Sequence, residues 1–281
     1  MKIQVMGVYR EPEYSPGKVE ADTAILDSVL AQLRASGAVT TALDAASFIA
    51  GNYPAPHLVL AMCQGQRGLA RLATAEESGA VVINSALAIR NCYRDLLGAG
   101  LMRAGVPVPE GVVVRTAVPL DLRPLRTIDL SSPVYVKRGD LHALGPDDVQ
   151  RADGREQLEA ILTRFASRGV QLAFVQQEVV GEVVKFYGVT GGEYFAAIAE
   201  SGAPLTDSQR RALNQATAIA ASALGLEVWG GDAIFNGDRF SIVDFNDWPS
   251  FSRVRADAAR AIARRSLLFL RRHPAMRDVT V

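Results

Sequence analysis

"SIVDFNDWPSF", residues 241–251, is the stretch on which the reading of this chain turns. An apolar strand runs into Asp244, and Asn246, Asp247, Trp248 and Pro249 follow at once. Side chains alternate along a strand, so Asp244 and Asn246 share one face. A surface strand has no need of a carboxylate and an amide two residues apart, closed by a rigid turn. Upstream, "VWGGDAIFNGDRF" (residues 228–240) supplies Asp232 and a hairpin signal at Asn236–Gly237. A three-residue loop at 236–238 puts Asp232 on the same face, one diagonal step from Asp244 and Asn246. A two-residue loop puts it on the other face. Three converging oxygen ligands suit magnesium, which takes few protein ligands and completes its shell with water and phosphate. A solvated hairpin end with three polar residues fits the same spacing.

Two further stretches carry chemistry. In "PVYVKRGD" (residues 133–140), Lys137 ends an apolar strand beside Gly139, which lets backbone N–H groups approach a phosphate. In "FVQQEVVGEVVKFYGV" (residues 174–189) the chain leaves one strand at Gln176–Gln177 and enters another carrying Lys185. The connector through Glu178, Val179 and Gly181 can read the edge of a planar base. Glu182 is a candidate for sugar hydroxyls, and Lys185 for phosphate. A basic strand end and an amphipathic hairpin are the plain alternatives.

Around these stretches, strand and helix alternate through the first third, with strands over 3–8, 39–43, 58–62 and 81–84 and helices over 21–36 and 67–78. Both middle strands read as buried. Such alternation predicts a parallel sheet wrapped by helices. No G-x-G-x-x-G follows the first strand and no G-x-x-x-x-G-K-[ST] occurs, which excludes an ordinary dinucleotide domain or P-loop. One helix is expected over 86–104, then strands at 111–115 and 133–137 and a helix over 155–167. Strands at 171–176, 183–189 and 194–199, a helix over 207–224, strands at 227–235 and 239–246 and a last helix over 254–272 complete an α+β plan.

Thirty Lys and Arg balance thirty Asp and Glu across 281 residues, so no overall field favours nucleic acid or an anionic membrane. Cys63 and Cys92 are too few for a disulfide framework or a zinc site. No apolar run is long enough to span a bilayer, and the N-terminus turns charged before a signal-like segment develops. A cytoplasmic protein is the expectation.

In order and spacing these pieces resemble the ATP-grasp superfamily. The resemblance rests on "RNCYRDLLGAGLMRAGVPVPEGVVV" (residues 90–114), Lys137, the Gln177–Glu178 connector, Lys185, Asp232, and the D-x-N of Asp244–Asn246 closed by "WPSF". It implies a small Rossmann-like α/β domain at 1–85 and two ATP-grasp subdomains, 86–172 and 173–281. It implies ATP held by Lys137, Gln176, Gln177, Glu178, Val179, Glu182 and Lys185, with Mg2+ on Asp232, Asp244 and Asn246. The glycine-rich flap usual after the first lysine is poorly matched by "RGDLHALGPDD" (residues 138–148), where His142 sits.

The loop "GVYREPEYSPGKVEAD" (residues 7–22) follows the first strand, the place that faces the ligand crevice in open α/β sheets. Arg10, Ser15 and Lys18 there, with Gln64 and Arg67 of "MCQGQRG" (residues 62–68), are substrate-binding candidates. Arg253 and Arg255 follow the hairpin directly and join Lys185 as catalytic candidates. The implied function is a carboxylate–amine or carboxylate–thiol ligase acting through an acyl-phosphate on a small acidic substrate with a nucleophilic co-substrate. A hydroxyl-phosphorylating kinase, resembling the inositol trisphosphate kinases in Lys185 and the D-x-N, is the alternative, and a non-catalytic nucleotide-binding regulator a third. No nucleic acid or membrane partner is expected, and a homodimer is compatible with the chain.

Overall fold

The computed structural model describes residues 2–141 and 143–272. His142 therefore lies outside the described residues.

The first part is a parallel sheet. Its strands β1 (Gln4–Val8), β2 (Val39–Leu43), β3 (Leu58–Ala61) and β4 (Val81–Ile83) lie in the order β2-β1-β3-β4. Helix α1 (Val19–Ala35) buries Ile25, Leu26, Val29, Leu30 and Leu33, the stripe that 3.6-residue periodicity aligns on one face. Gly7 lets it pack close to the sheet, because a Cβ there would meet the Leu30 side chain at 2.8 Å. Helices α2 (Ala45–Ala50) and α3 (Gln66–Glu77) complete the wrapping. The expected burial holds for β3, whose four residues are all buried. It fails for β2, which pairs only with β1 and exposes three of its five residues, as an edge strand does.

The single helix expected over 86–104 is two, α4 (Ala86–Asn91) and α5 (Arg94–Arg103). Tyr93 takes an extended conformation as the N-cap of α5, and its buried hydroxyl donates to the Gln64 carbonyl. That anchor turns α5 so that Leu97 and Leu101 pack inward.

Two antiparallel sheets follow. The strands β5 (Gly111–Arg115), β6 (Val134–Arg138), β7 (Val149–Ala152) and β8 (Leu172–Gln177) lie in the order β5-β8-β6-β7. Helix α6 (Gly154–Ser167) covers one face through Leu158, Ile161, Leu162 and Phe165. The third sheet, β10-β9-β11-β12, is built from β9 (Glu182–Val189), β10 (Tyr194–Ala199), β11 (Val228–Asn236) and β12 (Arg239–Asn246). Helix α7 (Asp207–Leu224) packs on it, begun by a Thr206–Gln209 capping box and ended by Gly225 in the left-handed region. The last helix, α8 (Arg255–Arg272), returns to pack against α1, so Ala258 and Ile262 share a core with Ile25 and Leu30. The elements predicted from the sequence are present; α2, β7 and three short 3-10 turns were not foreseen.

Candidate active site

The hairpin β11–β12 sets the site. Its loop has two residues, Gly237 and Asp238, because Asn236 pairs with Arg239. On the simple alternation this would send Asp232 to the opposite face from Asp244. A β-bulge prevents it: Ala233 pairs with Ile242, and Asp232 pairs with Asp244, leaving Val243 as the extra residue. Asp232 and Asp244 are therefore direct cross-strand partners rather than a diagonal pair, and Asn246 follows on the same side. Gly231 makes the close approach feasible, since a Cβ there would lie 2.2 Å from the Asp244 carbonyl oxygen.

The bulge has a second effect. The Val243 carbonyl accepts a hydrogen bond from Lys137 Nζ at 2.9 Å, and Gln176 Oε1 accepts another at 2.6 Å. Lys137, on β6, is only 8% exposed. Burial pulls its pKa down to about 8, against the opposing pull of the Asp244 carboxylate. On the other side, Lys185 of β9 pairs with Asp232 at 2.9 Å and with Glu200 at 3.5 Å. Burial raises the Asp232 pKa, the Lys185 ammonium opposes that rise, and the facing Asp244 adds to it. Burial lowers Lys185, and the surrounding carboxylates more than offset it, so its pKa ends above the ordinary value.

Arg94, the first residue of α5, was not singled out in the sequence. It is 6% exposed, and its Nη2 lies 3.5 Å from Asp244 Oδ2. Its Nε and Nη1 have no hydrogen-bond partner among the described residues. Two orphaned guanidinium donors at the floor of a cleft are a place for an anion. No sequence signal separates Arg94 from its neighbour Arg90, which pairs with Asp95 at 2.7 Å; burial alone distinguishes them.

Most of these groups line one cleft of about 670 Å³, within the range of ligand sites, and Lys137 and Gln176 line a pocket that adjoins it at Arg94 and Asp244. Asp232, Asp244, Asn246, Lys185 and Arg94 stand on its walls, and Ala143, Gly145 and Pro146 of the 138–148 segment border it. That segment is tied down by Asp148, which is fully buried and accepts from Leu144 N at 2.8 Å and Arg168 at 2.5 Å. Among the described residues no group of three His, Cys, Asp or Glu could hold a metal. The set here has two carboxylates and an amide. That all-oxygen set, with a share of the shell left for water and phosphate, fits Mg2+ and not a closed protein cage.

The remaining sequence candidates divide. Lys18 and Arg253 line the cleft and are exposed. Arg10, Ser15 and Gln64 also border it; Arg10 and Ser15 are engaged by protein, and so is Gln64 Nε2, whereas Gln64 Oε1 has no hydrogen-bond partner among the described residues. Arg10 binds Asp22 at 3.2 Å and donates to the Met62 and Trp248 carbonyls. Ser15 donates to Asp22 at 2.5 Å, and Gln64 Nε2 to Asp247 at 2.7 Å. Arg67 is exposed in the first turn of α3 and does not border the cleft; neither does Arg255. In the connector, Gln177 Nε2 donates to the Pro133 carbonyl at 3.0 Å, Glu178 pairs with Arg151 at 2.7 Å, and Glu182 accepts from Ser201 N at 2.8 Å. Three side chains expected to face nucleotide thus have protein partners. Val179 is half-buried. Gly181 lies so close to β11 that a Cβ would sit 2.0 Å from the Phe235 carbonyl oxygen.

No family model matches this chain, and no curated protein matches it. Solved structures do. The D-alanine–D-alanine ligase of Coxiella burnetii aligns over 99% of this chain and 98% of its own, with TM-score 0.76 and 12% identity. A RimK domain ATP-grasp protein of Sphaerobacter thermophilus aligns over 94% and 99%, with TM-score 0.67 and 19% identity. The chain has the ATP-grasp fold. The D-alanine–D-alanine ligase of Bacillus anthracis, solved with ATP, is similar over 96% of this chain and 99% of its own at TM-score 0.73 and 12% identity. In the ATP-grasp arrangement here, the cleft lies between the third sheet, the 143–149 border and the loop after β1. Among the described residues no helix is long and apolar enough to cross a membrane.

Proposed function

We propose that the protein is an ATP-dependent ligase that activates a small carboxylic acid as its acyl-phosphate and joins it to an amine or thiol. The observation that carries this reading is the convergence of Asp232, Asp244 and Asn246 with Lys185 and Arg94 on one cleft, while the buried Lys137 lines the adjoining pocket together with Arg94, Gln176 and Asp244. The likeness in fold to the D-alanine–D-alanine ligases supports the choice of chemistry.

Asp232, Asp244 and Asn246 would hold Mg2+, which when bound neutralises the phosphate oxygens and draws electrons from the γ-phosphorus. Lys137 and Arg94 would sit against the phosphates from the inner wall, and Lys185 from β9. Adenine would lie along the connector after Gln176, met by backbone groups of Glu178–Gly181, since the side chains of Gln177 and Glu178 already have partners. The acid's carboxylate oxygen attacks the γ-phosphorus and ADP leaves. The nucleophile then attacks the carbonyl carbon, phosphate departs and the nucleophile loses its proton. No covalent group on the protein is required; the cleft contributes positioning and charge.

The acceptor end argues for a small acid over a polyphosphorylated polyol. Of the five cations that the sequence offers for the acceptor, Lys18 and Arg253 remain at the cleft's acceptor side with exposed side chains, because Arg10 is engaged and Arg67 and Arg255 lie elsewhere. Lys185 belongs to the phosphate end. Two cations match one or two anionic groups; several phosphates need a dense basic pocket. The test is product analysis with ATP, MgCl2 and panels of amino acids, peptides, hydroxy acids and polyols. Free phosphate, with a hydroxamate when hydroxylamine is the nucleophile, is expected. A phosphorylated hydroxyl with little free phosphate would replace the ligase by a kinase.

A further inference from the structure

In an open α/β sheet the carboxyl ends of the strands commonly face a ligand. Here they face the end of β12. Three loops, after β1, β3 and β4, send one polar side chain each to residues 247–248, next to Asn246. Arg10 Nη2 donates to the Trp248 carbonyl at 2.5 Å. Gln64 Nε2 donates to Asp247 Oδ1 at 2.7 Å. Asn84 Nδ2 donates to the Asp247 carbonyl and, at 2.7 Å, to the Val228 carbonyl. Its Oδ1 accepts from Glu227 N at 2.7 Å and Val228 N at 3.1 Å.

The chemistry of each contact is that of a fixed support. Asn84 is 1% exposed and uses both donors and both acceptor positions of its amide, bridging the start of β11 to the end of β12. Nothing remains for a ligand. Asp247 is fully buried. Gln64 is itself held: Glu11 accepts from its N–H at 2.9 Å, and Tyr93 donates to its carbonyl. Gln64 Oε1 has no partner among the described residues, but the buried contacts made by Asn84 and by Gln64 Nε2 impose one geometry, because any other leaves these donors unpaired. β11 carries Asp232 and β12 carries Asp244 and Asn246. The first sheet therefore grips both metal-bearing strands at the end where Asn246 stands.

We propose that Gln64 and Asn84, assisted by Arg10, are positioning residues for the metal site: they fix the Asp247–Trp248 turn and through it the direction of Asn246. Two residues that the sequence suggested for substrate, Arg10 and Gln64, act in this assignment on the ligand strand instead. The inference rests on the reading of Asp232, Asp244 and Asn246 as a magnesium set and goes beyond it, since it makes metal affinity a property of the first sheet.

The experiment measures, on the full chain, the MgCl2 concentration that gives half of the ADP-induced rise in melting temperature. Gln64→Met removes the donor at nearly constant volume. It should raise the magnesium midpoint about tenfold or more, the range found when partners that orient metal ligands are removed. Asp247→Asn keeps an acceptor for Gln64 and should stay within about threefold of wild type on the same scale. Arg10→Lys keeps a cation beside Asp22 but shortens the reach to Trp248. It supplies a second, milder variant should Gln64→Met fold poorly. A purely structural role would lower the melting temperature without moving the magnesium midpoint. Unchanged midpoints in both Gln64→Met and Arg10→Lys, alongside a wild-type shift that Asn246→Ala abolishes, overturn the inference. A wild-type protein with no magnesium-dependent shift overturns the metal reading itself, and the inference with it.

Discussion

Asp232 and Asp244 face each other across β11 and β12 because Val243 is one residue too many for the ladder. Without that bulge the two-residue loop would place them on opposite faces. A one-residue slip flips every side chain beyond it. Insertion of one Ala between Asp232 and Ala233 gives Val243 a cross-strand partner and removes the bulge; it should therefore turn Asp244 and Asn246 toward the core side and abolish magnesium-dependent nucleotide binding. It should do so more completely than Asp244→Asn, which keeps the geometry. Isothermal titration with Mg-ADP distinguishes the two: residual weak binding for Asp244→Asn, none for the insertion. Equal binding by the insertion variant and wild type would refute the role of the bulge.

Asp244→Asn and Asn246→Ala should keep the fold and lose turnover about a hundredfold or more, as removal of groups that stabilise transferring charge does. Circular dichroism and melting curves monitor the first half; phosphate release the second. Asp244 is half-buried and lines the cleft, so its loss creates no core cavity.

Lys137 gives nucleotide binding a pH dependence. Burial holds its pKa near 8 in the free protein, below the ordinary lysine value. A phosphate anion favours the charged form, so binding takes up a proton as pH rises above 8. Affinity for Mg-ADP should be level below that pH and weaken about tenfold by one unit above it, the loss of the protonated fraction. For stability the sign is opposite to a salt-bridged lysine. The depressed folded pKa means the unfolded chain binds more protons between pH 8 and 10.5, so the free protein gains stability across that window. Lys137→Met should flatten both profiles. A wild-type affinity that does not change from pH 7 to 9 would contradict the assignment.

Arg253→Met and Lys18→Met should leave the Mg-ADP melting shift intact and raise the KM for the acid about tenfold each, the cost of one charged contact. Arg67→Ala and Arg255→Ala, outside the cleft, should leave that KM unchanged. Steady-state kinetics on the acid found by the product screen checks all four. A KM effect at Arg67 equal to that at Arg253 would move the acceptor site.

Gly181→Ala tests the connector. Its added carbon would sit 2.0 Å from the Phe235 carbonyl oxygen, so β9 and β11 must part. Overpacking of this kind costs about 1–3 kcal/mol, and urea denaturation should show it. An unchanged midpoint would mean the connector is free to shift.

The sequence carried the elements whose cause is local: the periodic stripe of α1, the hairpin turn at Gly237, and the D-x-N on one strand face. Features set by distant contacts were not legible. The Val243 bulge depends on Gly231 and on Lys137, more than a hundred residues earlier. The break at Tyr93 depends on the Gln64 carbonyl. Arg10 and Gln64 looked free because their partners, Trp248 and Asp247, lie 238 and 183 residues away. Arg94 could be told from Arg90 only by burial.

The most direct test of the account is titration of the wild-type protein with ADP in the presence and absence of MgCl2, beside Asp244→Asn. The account predicts saturable binding that magnesium strengthens, with a raised melting temperature, and loss of the magnesium effect in the variant. No binding at millimolar nucleotide, or binding that magnesium and Asp244→Asn leave unchanged, would contradict it.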